Sequence, residues 1–173
     1  MKCTDLLIQD HKVILRCLDV LQQMATNVEK GEHPAEEDVV KLLRFLRVFA
    51  DENHQLKEES ALFPELRRVC CAQEGPLRQM LFEHDQERSL VEAIEDSLYT
   101  RNGVDFAHFA NRLAGLIRNH IYKEDHILFE IVDRSLSPEQ DEKVVAEFDK
   151  YQVNPSFLAD LRRLERTYVR KAA

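Results

Sequence analysis

Two copies of one five-residue pattern, His54-Gln-Leu-Lys-Glu58 and His120-Ile-Tyr-Lys-Glu124, restrict the folds open to this chain more than any other feature. Each sets an imidazole and a carboxylate four residues apart, which brings both to one face of a helix. A lone histidine precedes each copy, His11 before the first and His84 before the second. The order His, His-x-x-x-Glu, His, His-x-x-x-Glu offers four ring nitrogens and two carboxylates. Turned inward from four helices, these groups describe a dinuclear metal site inside a helical bundle.

The apolar pattern supplies those helices. Leu7, His11, Ile14, Leu18, Leu21, Ala25 and Val28 recur at alternating three- and four-residue steps between Thr4, the expected N-cap, and about Lys30. A second helix is expected from Ala35, with Val39, Leu43, Leu46, Ala50 and His54 inward, and Pro64 is expected to break or kink it near Phe63. Beyond it, Glu65 to Gly75 reads as a short helical extension and an irregular connection. Pro76 opens a third helix to about Arg101, with Leu77, Met80, His84, Val91, Ile94 and Leu98 inward. Asn102-Gly103 reads as a stop. A fourth helix, about Val104 to Arg134, points Phe106, Leu113, Ile117, His120, Glu124, Ile127 and Ile131 inward. Ser137-Pro138-Glu139 and Asn154-Pro155 start two shorter helices, and no strand-like alternation survives.

Short loops make successive helices antiparallel neighbours, so residues equally far from a turn share one height. His11 lies 19 residues before Lys30 and His54 lies 19 after Ala35; His84 lies 17 before Arg101 and His120 lies 16 after Val104. At a rise of about 1.5 Å per residue these mismatches are negligible. All four histidines are expected in one layer. The predicted fold is therefore all-α: an up-down-up-down four-helix bundle over residues 1–136, with a helical appendix over 137–173 packed on the same domain.

Composition excludes several alternatives. Only 4 Gly and 5 Pro in 173 residues, beside 32% charged and 44% hydrophobic residues, fit helices better than a sandwich or a disordered tail. A formal charge of −8 argues against nucleic acid or an anionic membrane as partner, and the basic residues between Arg162 and Lys171 read as a solvated helix face. No stretch is long and apolar enough for a signal peptide or a membrane span. Cys3, Cys17, Cys70 and Cys71 fit no zinc spacing, and the adjacent pair cannot easily close a relaxed disulfide. Reduced thiols and a cytoplasmic location are the expectation.

Buried imidazoles and carboxylates need compensation, and metal ions supply it. Nitrogen and oxygen donors without a thiolate in register suit iron or manganese better than copper. Carboxylate-bridged sites in ferritin-like bundles use Glu-x-x-His, carboxylate first and three apart; here the histidine comes first and the spacing is four. That order resembles the hemerythrin-like domain, the HHE cation-binding family. The resemblance covers about residues 4–134. It rests on Asp10-His11, on His54 to Glu58-Glu59 followed by Leu62-Phe63-Pro64, on Glu83-His84, and on His120 to Glu124-Asp125 followed by Leu128-Phe129.

The resemblance implies that His11, His54, His84 and His120 are terminal iron ligands and that Glu58 and Glu124 bridge, with Asp125 the substitute for Glu124. It implies two iron ions joined by an oxo or hydroxo group, with manganese the alternative. Arg88 stands where the oxygen-carrying members have a further histidine, which frees a coordination position and points to the intracellular four-histidine, two-glutamate members. The expected function is binding or reduction of O2, NO or peroxide in a redox or stress response, with or without a redox partner protein. Catalysis is left open. Two rivals are an iron-sensing or iron-donating module, iron–sulfur centre repair included, and an interaction bundle with a structural metal.

Other residues have plainer readings. His126 is expected at the surface or behind the ligands, His33 and His108 in solvent, and Tyr122 facing away. Phe45, Phe49, Phe106, Phe109 and Cys17 are read as packing. Glu87 and Arg88 are open between a place beside the site and an outward salt-bridged one.

Overall fold

Residues 1–69 and 74–170 are described by a computed structural model, in which the apolar stripes become four antiparallel rods and two shorter helices. The first rod is α1 (Cys3–Glu29). The second runs from α2 (Glu36–Phe45) through π-helical turns at Leu46–Gln55 and Glu58–Leu62 into α3 (Phe63–Val69). The third is α4 (Glu74–Tyr99). The fourth joins α5 (Gly103–Lys123), a π-helical turn at Glu124–Leu128, and α6 (Phe129–Ser135). Helices α7 (Pro138–Phe148) and α8 (Ser156–Tyr168) follow. Each rod packs on its two neighbours around the bundle, α1 and α4 both lying against α5 and against the second rod.

The bundle interior divides into two apolar clusters. One, toward the α1–α2 and α4–α5 connections, gathers Leu18, Leu21, Leu43, Ile94, Leu113 and Ile117; the other gathers Leu7, Leu62, Phe63, Leu77, Leu128 and Phe129. Between them lies the buried polar layer of His11, His54, Glu58, His84, His120 and Glu124. The appended helices lie along the groove between α1 and the second rod, with α8 adding Leu161 and Leu164 to the first cluster and α7 adding Val144 and Phe148 to the second. No helix among the described residues is long and apolar enough to cross a membrane.

Several local expectations are revised. Lys2, not Thr4, is the first N-cap: its N–H donates to Asp5 at 2.9 Å, while the Thr4 hydroxyl donates to Asp133 at 2.8 Å. The turn after α4 is made by Arg101, whose φ of 54° is left-handed, and Asn102 caps α5 by accepting from the Asp105 N–H. Gly103 therefore opens a helix instead of closing one; a Cβ there would meet Val28 Cγ1 at 3.0 Å. Ser137 caps α7, as the sequence predicts, and the Gln140 side chain accepts in return from the Ser137 N–H.

Pro64 does not break the second rod. A proline inside an α-helix clashes with the carbonyl of the preceding turn. Here the preceding turn is wide: the Phe63 N–H reaches back five residues to the Glu58 carbonyl. The same widening occurs where the Phe129 N–H reaches Glu124. An extra residue in a turn shifts the face of everything after it. This is why Leu128 and Val132 are the buried residues where the stripe predicts Ile127 and Ile131; Ile127 is 53% exposed, while Ile131 is half-buried against the second cluster.

Candidate metal centre

All six sequence-predicted residues meet in one layer. The Nε2 atoms of His11 and His54 lie 3.0 Å apart, and those of His84 and His120 lie 3.1 Å apart. Glu124 spans both pairs, with Oε2 at 3.2 Å from His11 Nε2 and Oε1 at 3.1 Å from His120 Nε2. Glu58 Oε2 stands 3.4 Å from His84 Nε2 and 3.8 Å from His54 Nε2. Two overlapping donor sets result, His11–His54–Glu58–Glu124 and Glu58–His84–His120–Glu124, each with its ligand atoms within 4.8 Å of one another. Both carboxylates belong to both sets.

The residues fit a pair of cations on independent grounds. All four oxygens of Glu58 and Glu124 are buried without a hydrogen-bond donor, which is costly unless something positive sits among them. The Nε2 pairs are spaced like neighbouring donors of an octahedral ion, about 3 Å for bonds of about 2.1 Å. Asp125, the sequence alternative to Glu124, does not reach this centre.

Carboxylates behind the rings orient them. Asp125 Oδ1 lies 2.7 Å from His11 Nδ1, Glu59 Oε1 lies 2.7 Å from His84 Nδ1, and Glu83 Oε2 lies 2.8 Å from His120 Nδ1. Asp10 Oδ2 stands further off, 3.5 Å from His54 Nδ1. An ionised carboxylate only accepts, so the partnered Nδ1 atoms carry the proton of the neutral ring, whose Nε2 lone pair then faces the interior. Lysines fix two of these carboxylates: Lys57 donates to Asp10 at 2.8 Å, and Lys123 donates to Glu83. Arg88 is no ligand; its guanidinium donates to Glu59 and Asp51 and so braces the carboxylate behind His84.

The contacts are crosswise and repeat. Asp10 precedes His11 but faces His54; Glu83 precedes His84 but faces His120. Glu59 follows Glu58 and Asp125 follows Glu124, yet they serve His84 and His11. Phe63 stacks on His84 at 6.2 Å between centroids as Phe129 stacks on His11 at 5.6 Å. One approximate twofold axis relates the first two rods to the last two. The sequence carried the signal in four acidic residues, each adjacent to an inward ligand, but only Asp125 received a role there, and a different one.

Charge follows from these contacts. In the metal-free protein burial lowers the affinity of the His11 and His84 rings for a proton, but carboxylates outweigh it: Asp125 and Glu124 for His11, Glu58 and Glu59 for His84. Both rise to about 9. His120 rises well above its ordinary value, with Glu124 and Glu83 outweighing burial. Burial likewise works against ionised Glu83, yet His120, Lys123 and Gln79 hold it down to about 2. Glu87, buried beside His120, goes the other way: burial pushes it up to about 7.

The remaining candidates sit as expected. His126 is exposed, stacked on Tyr122 and accepting no role in the layer; its Nδ1 faces the Tyr122 carbonyl at 2.9 Å. His33 and His108 are exposed, and Cys17 is buried among apolar side chains. Cys70 and Cys71 lie outside the described residues.

A four-rod helical bundle with a His/Glu layer between two apolar clusters defines a metal-binding bundle protein. A family model, the hemerythrin HHE cation binding domain, matches residues 3–132, and the chain belongs to that family. Comparison with curated proteins and with solved structures gave no match.

Proposed function

We propose that this is a non-haem di-iron protein that binds or reduces a small oxidant or diatomic ligand, O2, NO or peroxide, in a redox or stress response. The observation that carries this reading is the sharing of Glu58 and Glu124 between both donor sets, with their four oxygens unpartnered. His11 and His54 would hold one ion and His84 and His120 the other, with both glutamates between. Iron bound there would supply reversible ligand binding and one-electron chemistry.

The chain itself does the rest. Asp125, Glu59 and Glu83 hold three rings in the tautomer that presents Nε2, and apolar clusters flank the layer on either side. Each donor set provides two nitrogens and two carboxylates, fewer donors than an octahedral ion takes. That leaves room for an exogenous ligand.

Metal analysis of anaerobically purified protein, followed by optical spectra with O2, NO and azide, tests the reading. Two iron ions per chain and a spectral response to these ligands are expected. Two ions with no response would favour a structural metal, and iron lost to mild chelation with reshaping of the fold would favour an iron-sensing or iron-donating role.

A further inference from the structure

The approximate twofold of the layer is broken most plainly where two polar side chains stand in place of two apolar ones. Three residues after His84 stands Glu87, and three after His11 stands Ile14; one after His54 stands Gln55, and one after His120 stands Ile121. Ile14 and Ile121 are 2% and 4% exposed within the first apolar cluster. Glu87 and Gln55 are each 4% exposed as well, so two isoleucines on one side are matched by a buried acid and a buried amide on the other. The Gln55 Nε2 donates to Glu87 Oε2 at 2.6 Å. That bond fixes the amide and leaves two acceptors, Glu87 Oε1 and Gln55 Oε1, buried with no donor.

These orphaned acceptors belong to residues that line a cavity of about 30 Å3. It lies between the second rod and α4, with Ile117 as part of its wall and Asp51 and Arg88 among its polar lining. A space of this size holds one or two waters. Glu87 Oε1 is also 4.0 Å from His120 Nδ1, the ring nitrogen turned away from the donor set, which puts the polar pair behind the His120 ring.

We propose that Gln55 and Glu87 build a subsite for one small O–H donor, water in the resting protein, behind the His120 ring and in one half of the layer only, so that the two ions are unlike. This rests on the di-iron reading above. Two unpartnered acceptors on residues that line one cavity ask for a ligand that donates two hydrogen bonds, and water does so at a cost in immobilisation of at most about 2 kcal/mol. Around the His11–His54 ion, Ile14 and Ile121 offer no such partner.

Mössbauer spectra of protein loaded anaerobically with 57Fe test this. Wild type is expected to show two doublets of equal area. The double variant Gln55→Ile, Glu87→Ile copies the other half of the layer; at full loading its doublets converge, whereas Glu87→Gln, which keeps an acceptor, leaves them apart. Should the double variant not fold, Glu87→Leu is expected to move the doublets in the same direction. Doublets that stay apart in the isoleucine or leucine variant, or a single doublet in fully loaded wild type, overturn the proposal. Wild type that cannot take up two irons overturns the di-iron reading itself, a result distinguishable by metal analysis alone.

Discussion

Asp125 lies 2.7 Å from His11 Nδ1, on the far side of the ring from the layer's centre. Its chain neighbour Glu124 lies at that centre, 3.2 Å from His11 Nε2. One imidazole is thus held between two consecutive acidic residues of the fourth rod. The π turn beginning at Glu124 accompanies this arrangement, since a widened turn changes the direction of successive side chains.

Removing Asp125 should therefore weaken the site without dismantling it. Loss of a carboxylate behind a ligating histidine typically costs about 10- to 100-fold in metal affinity. Asp125→Ala and its counterpart Glu59→Ala should fall in that range in competition with a chelator of known affinity, with helix content unchanged. His126→Ala should leave occupancy unaltered. Loss of both ions from Asp125→Ala would exchange the roles given to Asp125 and Glu124.

Acidity has a sign that can be checked on metal-free protein. His11 and His84 titrate near 6.5 unfolded and about 9 folded. Their folded pKa values are raised, so the stability they contribute is full below pH 6.5 and is lost as pH rises through about 9. Glu83 is held down to about 2, so its contribution is present above its ordinary value of 4.5 and lost as pH falls toward 2. Urea midpoints of the apoprotein should be highest between those windows and should decline from pH 6.5 to about 9. Loaded protein should escape the alkaline decline, because cations replace the ring protons, and metal uptake should release protons across the same interval.

The register shift in the fourth rod gives a stability test and marks the limit of sequence reading. Stripe spacing set the four histidines at one height, because antiparallel rods with short connections convert sequence distance into height, and the four-residue step added the two glutamates on the same face. It carried Ile127 inward because the same period was extended past Glu124, where the chain widens by a residue and leaves Ile131 only half-buried. Nothing in local propensity announces such a turn; it is a tertiary accommodation around buried groups. Leu128→Ala, at 3% exposure, should cost about 2–5 kcal/mol in urea unfolding of the apoprotein, while Ile127→Ala should stay within about 0.5 kcal/mol. Equal losses at the two positions would mean that the register is uninterrupted. The crosswise carboxylates were missed for a related reason: adjacency in sequence paired each acid with the wrong histidine, and only the packing of rods reveals which ring it meets.

Sharing of the glutamates separates this centre from two independent sites. Glu58 approaches His84 on one side at 3.4 Å and His54 on the other at 3.8 Å, and Glu124 joins the sets in the same way. If each carboxylate bridges, Glu58→Ala weakens both ions at once, and the double variant Glu58→Ala, Glu124→Ala binds neither. By contrast, His11→Ala removes a donor from a single set and should lower the affinity for one ion first. Stepwise metal titration followed by calorimetry distinguishes these cases: a common weakening of both steps for Glu58→Ala, against a selective loss of one for His11→Ala. A Glu58→Ala protein that keeps one site at wild-type affinity would show that the two cation positions are bound separately.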